Sequence, residues 1–221
     1  MNFASLIDGP SALIVIGGTL AATVLRCGVR DCARTLASLL QIGRAGFDPD
    51  AARSELARQI QDIRQDGLIR ARPHHFGDSE FEEATDALIG QRSLAPLIAA
   101  HDAHKQRRLD ASNRAVRTLA QAAELAPVFG LAGTLISLSQ LPADGIARGA
   151  FAGAISMAVL TTLYGLLLAN IVLAPLSRAL ERKAQEEERE RQKLVDWLAG
   201  EVAPSLPRRR PPLDAVSGRA A

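Results

Sequence analysis

The sequence predicts an all-α integral membrane protein with three transmembrane helices and a helical cytoplasmic domain. Three observations carry that prediction. Three stretches hold no Asp, Glu, Lys, Arg or His, Arg and Lys are placed asymmetrically around them, and the remaining segments show apolar residues at helical spacing without a strand signal. The 221 residues include 26 Lys+Arg and 24 Asp+Glu, a formal net charge of +2. A mean hydropathy of +0.06 averages apolar runs with densely charged segments. So balanced a charge excludes the concentrated basic face of a nucleic-acid binder, and no nucleic-acid partner is expected.

Residues 1–8 read as a short N-terminus outside the membrane. Asp8-Gly9-Pro10 supplies an N-cap and a proline in the first helical turn. Residues 9–25 form the first span, about 25 Å of helix, which crosses a core of about 30 Å only with little tilt. Residues 26–124 form the cytoplasmic domain. Within it a helix over 31–42 carries Leu36, Leu39 and Leu40, and another opens at Asp48-Pro49 with Leu56, Ile60 and Ile63 at helical spacing. Gly67-Leu68 ends the latter, a turn covers 72–78, and helices resume over 79–89 and 94–121. Residues 125–143 form the second span, about 28 Å long, 144–148 an outer turn, and 149–177 an ample third span. A charged helix over 178–200 follows, with Glu187 and Arg191 at i,i+4. The Pro-rich tail 201–221 reads as disordered, with Arg208–Arg210 as a solvated end rather than a lipid contact.

Positive charge sets the direction. Arg26, Arg30 and Arg34 follow the first span, and Arg107, Arg108, Arg114 and Arg117 lead into the second. Arg178, Arg182 and Lys183 follow the third, while the outer turn holds Asp144 and Arg148. The amino terminus is therefore expected outside and the carboxyl terminus inside. The first run is not a cleaved secretory signal, because its positive charges follow the apolar stretch.

The spans are built for contact. Ala150, Ala154, Ala158 and Thr162 recur every four residues on the third, with Thr161, Gly165 and Ala169 beside them. On the second, Ala126, Gly130 and Thr134 form one stripe and Gly133 with Ser137 another. Such spacing lets helices approach closely, and Gly130, Gly133, Ala154, Ala158 and Gly165 are the expected packing positions. Three helices cannot satisfy so many small faces between them, so a ring of identical chains around something else is expected. Ion carriers need an ionisable residue at depth, and no span offers one. If the chain conducts ions, the carboxylate comes from a partner helix and Thr134 and Thr162 form the polar wall. Otherwise the chain is a non-conducting scaffold.

Enzyme chemistry finds little support. Cys27 and Cys32 make neither a disulfide framework nor a zinc set, and read as small buried residues. His101-x-x-His104 with Asp102 is the one constellation that suggests a metal, with His74 and His75 as conceivable further ligands. Two histidines so spaced on a polar helix are expected to be solvated, so no metal and no cofactor are expected. No nucleophile elbow or phosphate loop is present.

The strings LAPVFGLAGTLISL at 125–138 and AVLTTLYGLLLANIVLAPLSRAL at 158–180 resemble the paired signature of the MotA/TolQ/ExbB proton-channel family, nearest its flagellar-stator branch. The 11–25 segment, with Gly17-Gly18-Thr19-Leu20, is similar to the second transmembrane helix of that branch. The resemblance implies a homopentamer around a dimer of a MotB-like single-span partner that carries the ion-binding Asp, set in membrane lipid of the bacterial inner membrane. Proton or sodium passage would turn the ring, and charged cytoplasmic residues would pass the rotation to a flagellar rotor protein. It also implies that Thr134 and Thr162, with Thr161 beside them, line the channel, and that Pro127 and Pro175 are conformational prolines. The 62–72 segment resembles a loop in which stators place an Arg and, eight residues on, an acid. Arg64 fits the first role and Arg72 stands at the second, so Arg64, Arg70 and Arg72 are the expected rotor or partner contacts, with the acid's share altered. Stator subunits of the family have four spans, and this chain begins where the second would, a shortened wall or a start assigned too late. Three spans is the layout of the TolQ/ExbB branch, so an energy transducer to the outer membrane is the alternative to a stator.

Overall fold

The computed structural model describes residues 8–43, 46–66, 78–141 and 148–205, and among them every regular element is helical. Helix α1 (Gly9–Ala12) opens as the sequence implies. The Asp8 carboxylate accepts from the Ser11 amide at 2.9 Å and from the Ser11 hydroxyl, and Pro10 occupies the first turn. A π-helical stretch, Leu13–Gly17, leads into α2 (Gly18–Cys27). Gly28, at φ 85°, breaks the helix in a conformation that favours glycine, and α3 (Val29–Ile42) starts at the next residue. Helix α4 (Pro49–Asp66) is capped by Asp48, whose carboxylate accepts from the amides of Asp50 and Ala51. Asp78 caps α5 (Ser79–Gln91) in the same manner, accepting from Glu80.

Two long helices follow. Helix α6 (Leu94–Ser139) is a single element of 46 residues with Pro127 inside it. The sequence divides this stretch into a cytoplasmic helix and a span, but the loss of charge after Glu124 does not end the helix. Helix α7 (Arg148–Leu167) passes through a second π-helical stretch, Leu168–Leu173, into α8 (Ala174–Val202), and a 3-10 turn, Ala203–Ser205, closes the described chain. The separate charged helix expected after the third span is thus its continuation. Gly9–Cys27, Leu94–Ser139 and Phe151–Val202 are long and apolar enough to cross a membrane.

The chain divides into two compact units. The first comprises Met1–Gly46 and Arg107–Glu187. Here Ala115 and Leu119 of α6 bury against Leu180 of α8, with Leu39 and Ile42 of α3 packed on them. The buried positions of α6 continue through Ala122, Ala126, Gly130, Gly133 and Ser137, always three or four residues apart. One stripe therefore runs without a break through Pro127. The Lys183 ammonium donates to the Gln41 and Ile42 carbonyls at 2.8 and 3.1 Å, satisfying the C-terminus of α3.

The second unit comprises Phe47–Gln106 and Glu188–Ala221. Its core joins Leu56 and Ile60 of α4, Phe81, Ala84 and Leu88 of α5, Leu97 of α6 and Leu194, Val195, Leu198 and Val202 of α8. Phe47 stacks on Phe81 with ring centroids 5.7 Å apart, and the Arg191 guanidinium lies 4.1 Å from the Phe47 centroid. Arg191 also donates to Asp78 at 2.7 Å. His101 and His104 are buried here, contrary to the solvated pair that the polar helix suggests. His104 Nε2 lies 2.7 Å from Glu83, and His101 Nε2 3.6 Å from Glu188. Glu83 of α5 thus gives the buried His104 ring a hydrogen-bond partner, whereas the distance from His101 to Glu188 of α8 is beyond hydrogen-bond reach. Among the described residues no group of His, Cys, Asp and Glu is arranged to hold a metal ion.

Candidate functional site

The site grows from an α6–α7 contact that only glycine permits. A side-chain carbon at Gly165 would stand 2.7 Å from the Ala126 carbonyl oxygen and 3.1 Å from the Gly130 Cα. One at Gly130 would stand 3.0 Å from the Thr161 carbonyl oxygen. At Gly133 it would meet the Thr161 side chain at 2.7 Å. Of the five small residues expected at packing positions, Gly130 and Gly165 therefore bring two backbones into direct contact, and Gly133 makes room for the Thr161 side chain. Ala158 instead sits on the adjoining open face, and Ala154 is half-buried.

That open face is a groove of about 470 Å³, walled by Thr134 of α6 and Ile155, Ala158, Val159, Thr162, Leu163 and Leu166 of α7. The structure brings Thr134 and Thr162 together on it, as the two small stripes suggest. Each hydroxyl donates to its own helix, Thr134 to the Leu131 carbonyl at 2.6 Å and Thr162 to the Ala158 carbonyl at 3.1 Å. Both oxygens keep acceptor capacity on the groove side. Thr161 differs from the expectation. It is fully buried, its methyl faces Gly133 and its hydroxyl donates to the Ala158 carbonyl at 3.0 Å, so it joins helix to helix and does not reach the groove.

Both prolines occupy special backbone. Pro127 lies within α6, where it cannot donate to the Ala123 carbonyl, and its Cα is 3.2 Å from a side-chain carbon built on Gly165. Pro175 follows the π-helical stretch, whose last bond runs from the Ala174 amide to the Ala169 carbonyl. With no N–H at Pro175 the Ile171 carbonyl loses its usual α-helical donor. The string Asn170-Ile171-Val172-Leu173-Ala174-Pro175 was the available signal, because a proline four residues past an apolar carbonyl perturbs the ladder.

Two contacts were not legible in advance. The Asp8 amide donates to the Tyr164 hydroxyl at 3.0 Å, and the Phe129 ring fills the space that a side chain at Gly18 would need. Hydrogen bonds from the Ser11 side chain and backbone hold the Asp8 carboxyl below its ordinary range. The Cys27 thiol donates to Gln121 at 2.8 Å. Burial, with Cys27 and Asp31 adding to it, pushes the Cys32 thiol up. Arg64, in the last turn of α4, is ion-paired with Glu201 and half-exposed. Arg70 and Arg72 lie outside the described residues.

A model of the MotA/TolQ/ExbB proton channel family matches residues 76–193. Motility protein A of Cereibacter sphaeroides is 25% identical over 199 residues, which cover 89% of this chain and 78% of that protein. Motility protein A of Aquifex aeolicus is 28% identical over 199 residues, covering 85% and 75% respectively. The fold is similar to that of a chain in the flagellar MotAB stator complex from Bacillus subtilis, with TM-score 0.79, 19% identity and coverage of 91% of this chain and 81% of that one. For C. jejuni MotAB the TM-score is 0.81 at 18% identity, covering 94% and 82%.

Proposed function

The chain belongs to the MotA/TolQ/ExbB proton channel family, and on that premise we propose that it is a MotA-like ring subunit of an ion-driven stator in the bacterial inner membrane. Five copies surround two copies of a MotB-like single-span partner, whose Asp binds the proton or sodium ion. Residues 9–25, 125–143 and 149–177 cross the bilayer, with the amino terminus outside and both 26–124 and 178–200 in the cytoplasm.

One observation carries the reading. Thr134 and Thr162 share an open groove in segments without a charged residue, so the chain offers hydroxyl oxygens and no carboxylate. A neutral hydroxyl can accept from or coordinate a passing ion but supplies no negative charge to balance it and no proton-binding group near neutral pH, so the titrating acid comes from the partner. The MotAB complexes with this fold support a B-type partner, and the motility proteins among its relatives favour a stator over a transducer to the outer membrane. Pro127 and Pro175 mark where the wall helices flex as the ring steps, and Arg64 is a candidate contact for the rotor.

The test is motility of cells that depend on this chain. Thr162→Val keeps the shape of the side chain and removes the hydroxyl, and Thr162→Phe fills the groove. Both are expected to cut swimming speed at normal membrane expression, Phe abolishing it. Full motility with Thr162→Phe, or selective ion flux through vesicles holding this chain alone, overturns the proposal.

A further inference from the structure

The core of the second unit holds polar atoms that its side chains do not pair among themselves. His101 of α6 is 6% exposed, and its Nε2 has no hydrogen-bond partner among the described residues. The Glu188 carboxylate of α8 stands 3.6 Å from it, beyond hydrogen-bond reach. One turn on, His104 meets carboxylates at both ring nitrogens. Its Nε2 is 2.7 Å from Glu83 and its Nδ1 is 3.6 Å from Glu80, both acids of α5.

A neutral imidazole carries one ring proton, and a carboxylate only accepts. The short contact with Glu83 therefore needs that proton on Nε2 of His104. Nδ1 is then an acceptor that faces a second acceptor, a Glu80 oxygen. Two acceptors set against each other in a buried site are unfavourable without a donor to serve them. The other Glu80 oxygen is served by Arg191 of α8, at 3.4 Å.

A cavity of about 10 Å³ lies at this point, walled by Glu80, Phe81, Ala84, His101, His104 and Arg191. That is about the room one water molecule needs, and four of the walls carry polar side chains. A water has two protons to give, to Nδ1 of His104 and to Glu80, and lone pairs to accept from Nε2–H of His101 and from Arg191. The small volume excludes a larger ligand, and the Arg191 guanidinium on the wall disfavours a cation.

We propose that a single ordered water occupies this cavity as the shared hydrogen-bond partner of His101 and His104, with His104 in the neutral form that carries its proton on Nε2. The water joins α5, α6 and α8 inside the second unit, where no direct bond between the two histidines does so. The inference concerns that unit alone and stands apart from the reading of the spans.

The full-length chain, labelled with ¹⁵N-histidine and carrying His74→Gln and His75→Gln to leave two rings, is reconstituted in lipid bilayers. Solid-state NMR near neutral pH is expected to show His104 with a proton on Nε2 and a bare Nδ1. Magnetisation from water protons is expected to reach that Nδ1, which has no exchangeable proton of its own, and the Nε2 of His101. Ala84→Val fills the cavity and is expected to abolish both transfers together, because one molecule serves both rings. A His104 protonated at both nitrogens overturns the proposal, since an imidazolium donates toward Glu80 and Glu83 without help. So does a bare Nδ1 that receives nothing from water, or a folded Ala84→Val chain in which either transfer survives. If Ala84→Val does not fold, the spectrum of the chain with Ala84 in place still decides between the expected result and the first two contrary ones.

Discussion

Replacing Gly165 by alanine inserts one methyl carbon where α6 and α7 already touch. The new carbon stands 2.7 Å from the Ala126 carbonyl oxygen, 3.1 Å from the Gly130 Cα and 3.2 Å from the Pro127 Cα. All three neighbours are backbone, so no rotamer relieves the clash, and the helices must part by several tenths of an ångström. Overpacking of this kind costs about 1–3 kcal/mol. Alanine recovers about 1 kcal/mol of helix propensity over glycine, so a net loss of up to about 2 kcal/mol remains. Gly153, on the same helix, is the control, because a side-chain carbon there meets nothing within 4 Å. Thermal unfolding in detergent, followed by loss of monodisperse protein, is expected to drop by several degrees for Gly165→Ala and to hold or rise for Gly153→Ala. Cells carrying Gly165→Ala are expected to swim slowly, since parting the helices also reshapes the groove beside Thr162. Equal melting of the two variants and the parent would refute the close-contact argument.

Three further outcomes follow from other parts of the chain. The Asp8 carboxyl is held below its ordinary range, so the stability its cap confers is complete above the unfolded value of about 3.9 and is lost as pH falls through the lower folded value. The protection of the Ser11 amide against hydrogen exchange, relative to its intrinsic rate at each pH, should fall only in strong acid, and Asp8→Ala should remove it at every pH. The raised Cys32 thiol should react with maleimide at pH 7 more slowly than free cysteine does, with a rate still climbing above the usual thiol range; parity with free cysteine would contradict the burial. Leu198→Ala, in the core of the second unit, should cost about 2–5 kcal/mol and expose α4 and α5 to limited proteolysis.

Much of the fold was readable because membrane and water impose different chemistry. The uncharged runs, the Asp8 cap and the glycine stripes are one-dimensional signals, and Gly130 and Gly165 meet while Gly133 receives Thr161. Helix continuity was harder to read. The change from charged to apolar residues at Glu124 marks a change of solvent, yet α6 passes through it, and α7 continues into α8 through a π-helical stretch. The burial of His101 and His104 follows from the packing of the second unit, and the acid that pairs with His104, Glu83, lies on another helix. Thr161 and Thr162 are adjacent in sequence, so about 100° of helix separates a buried methyl from a groove hydroxyl. Composition cannot choose between them.

The unbroken stripe on α6 ties two surroundings to one angular phase. Ala115 and Leu119 meet α8 below the point where charge disappears, and Gly130 and Gly133 meet α7 above it. A residue inserted between Glu124 and Leu125 would swing the glycines about 100° away from α7 while the alanine and leucine stayed in place. Insertions of seven or eleven residues would restore the phase to within about 20°. Lengthening of this helix is thereby confined to near-whole numbers of turns, as on a screw whose thread is engaged at both ends.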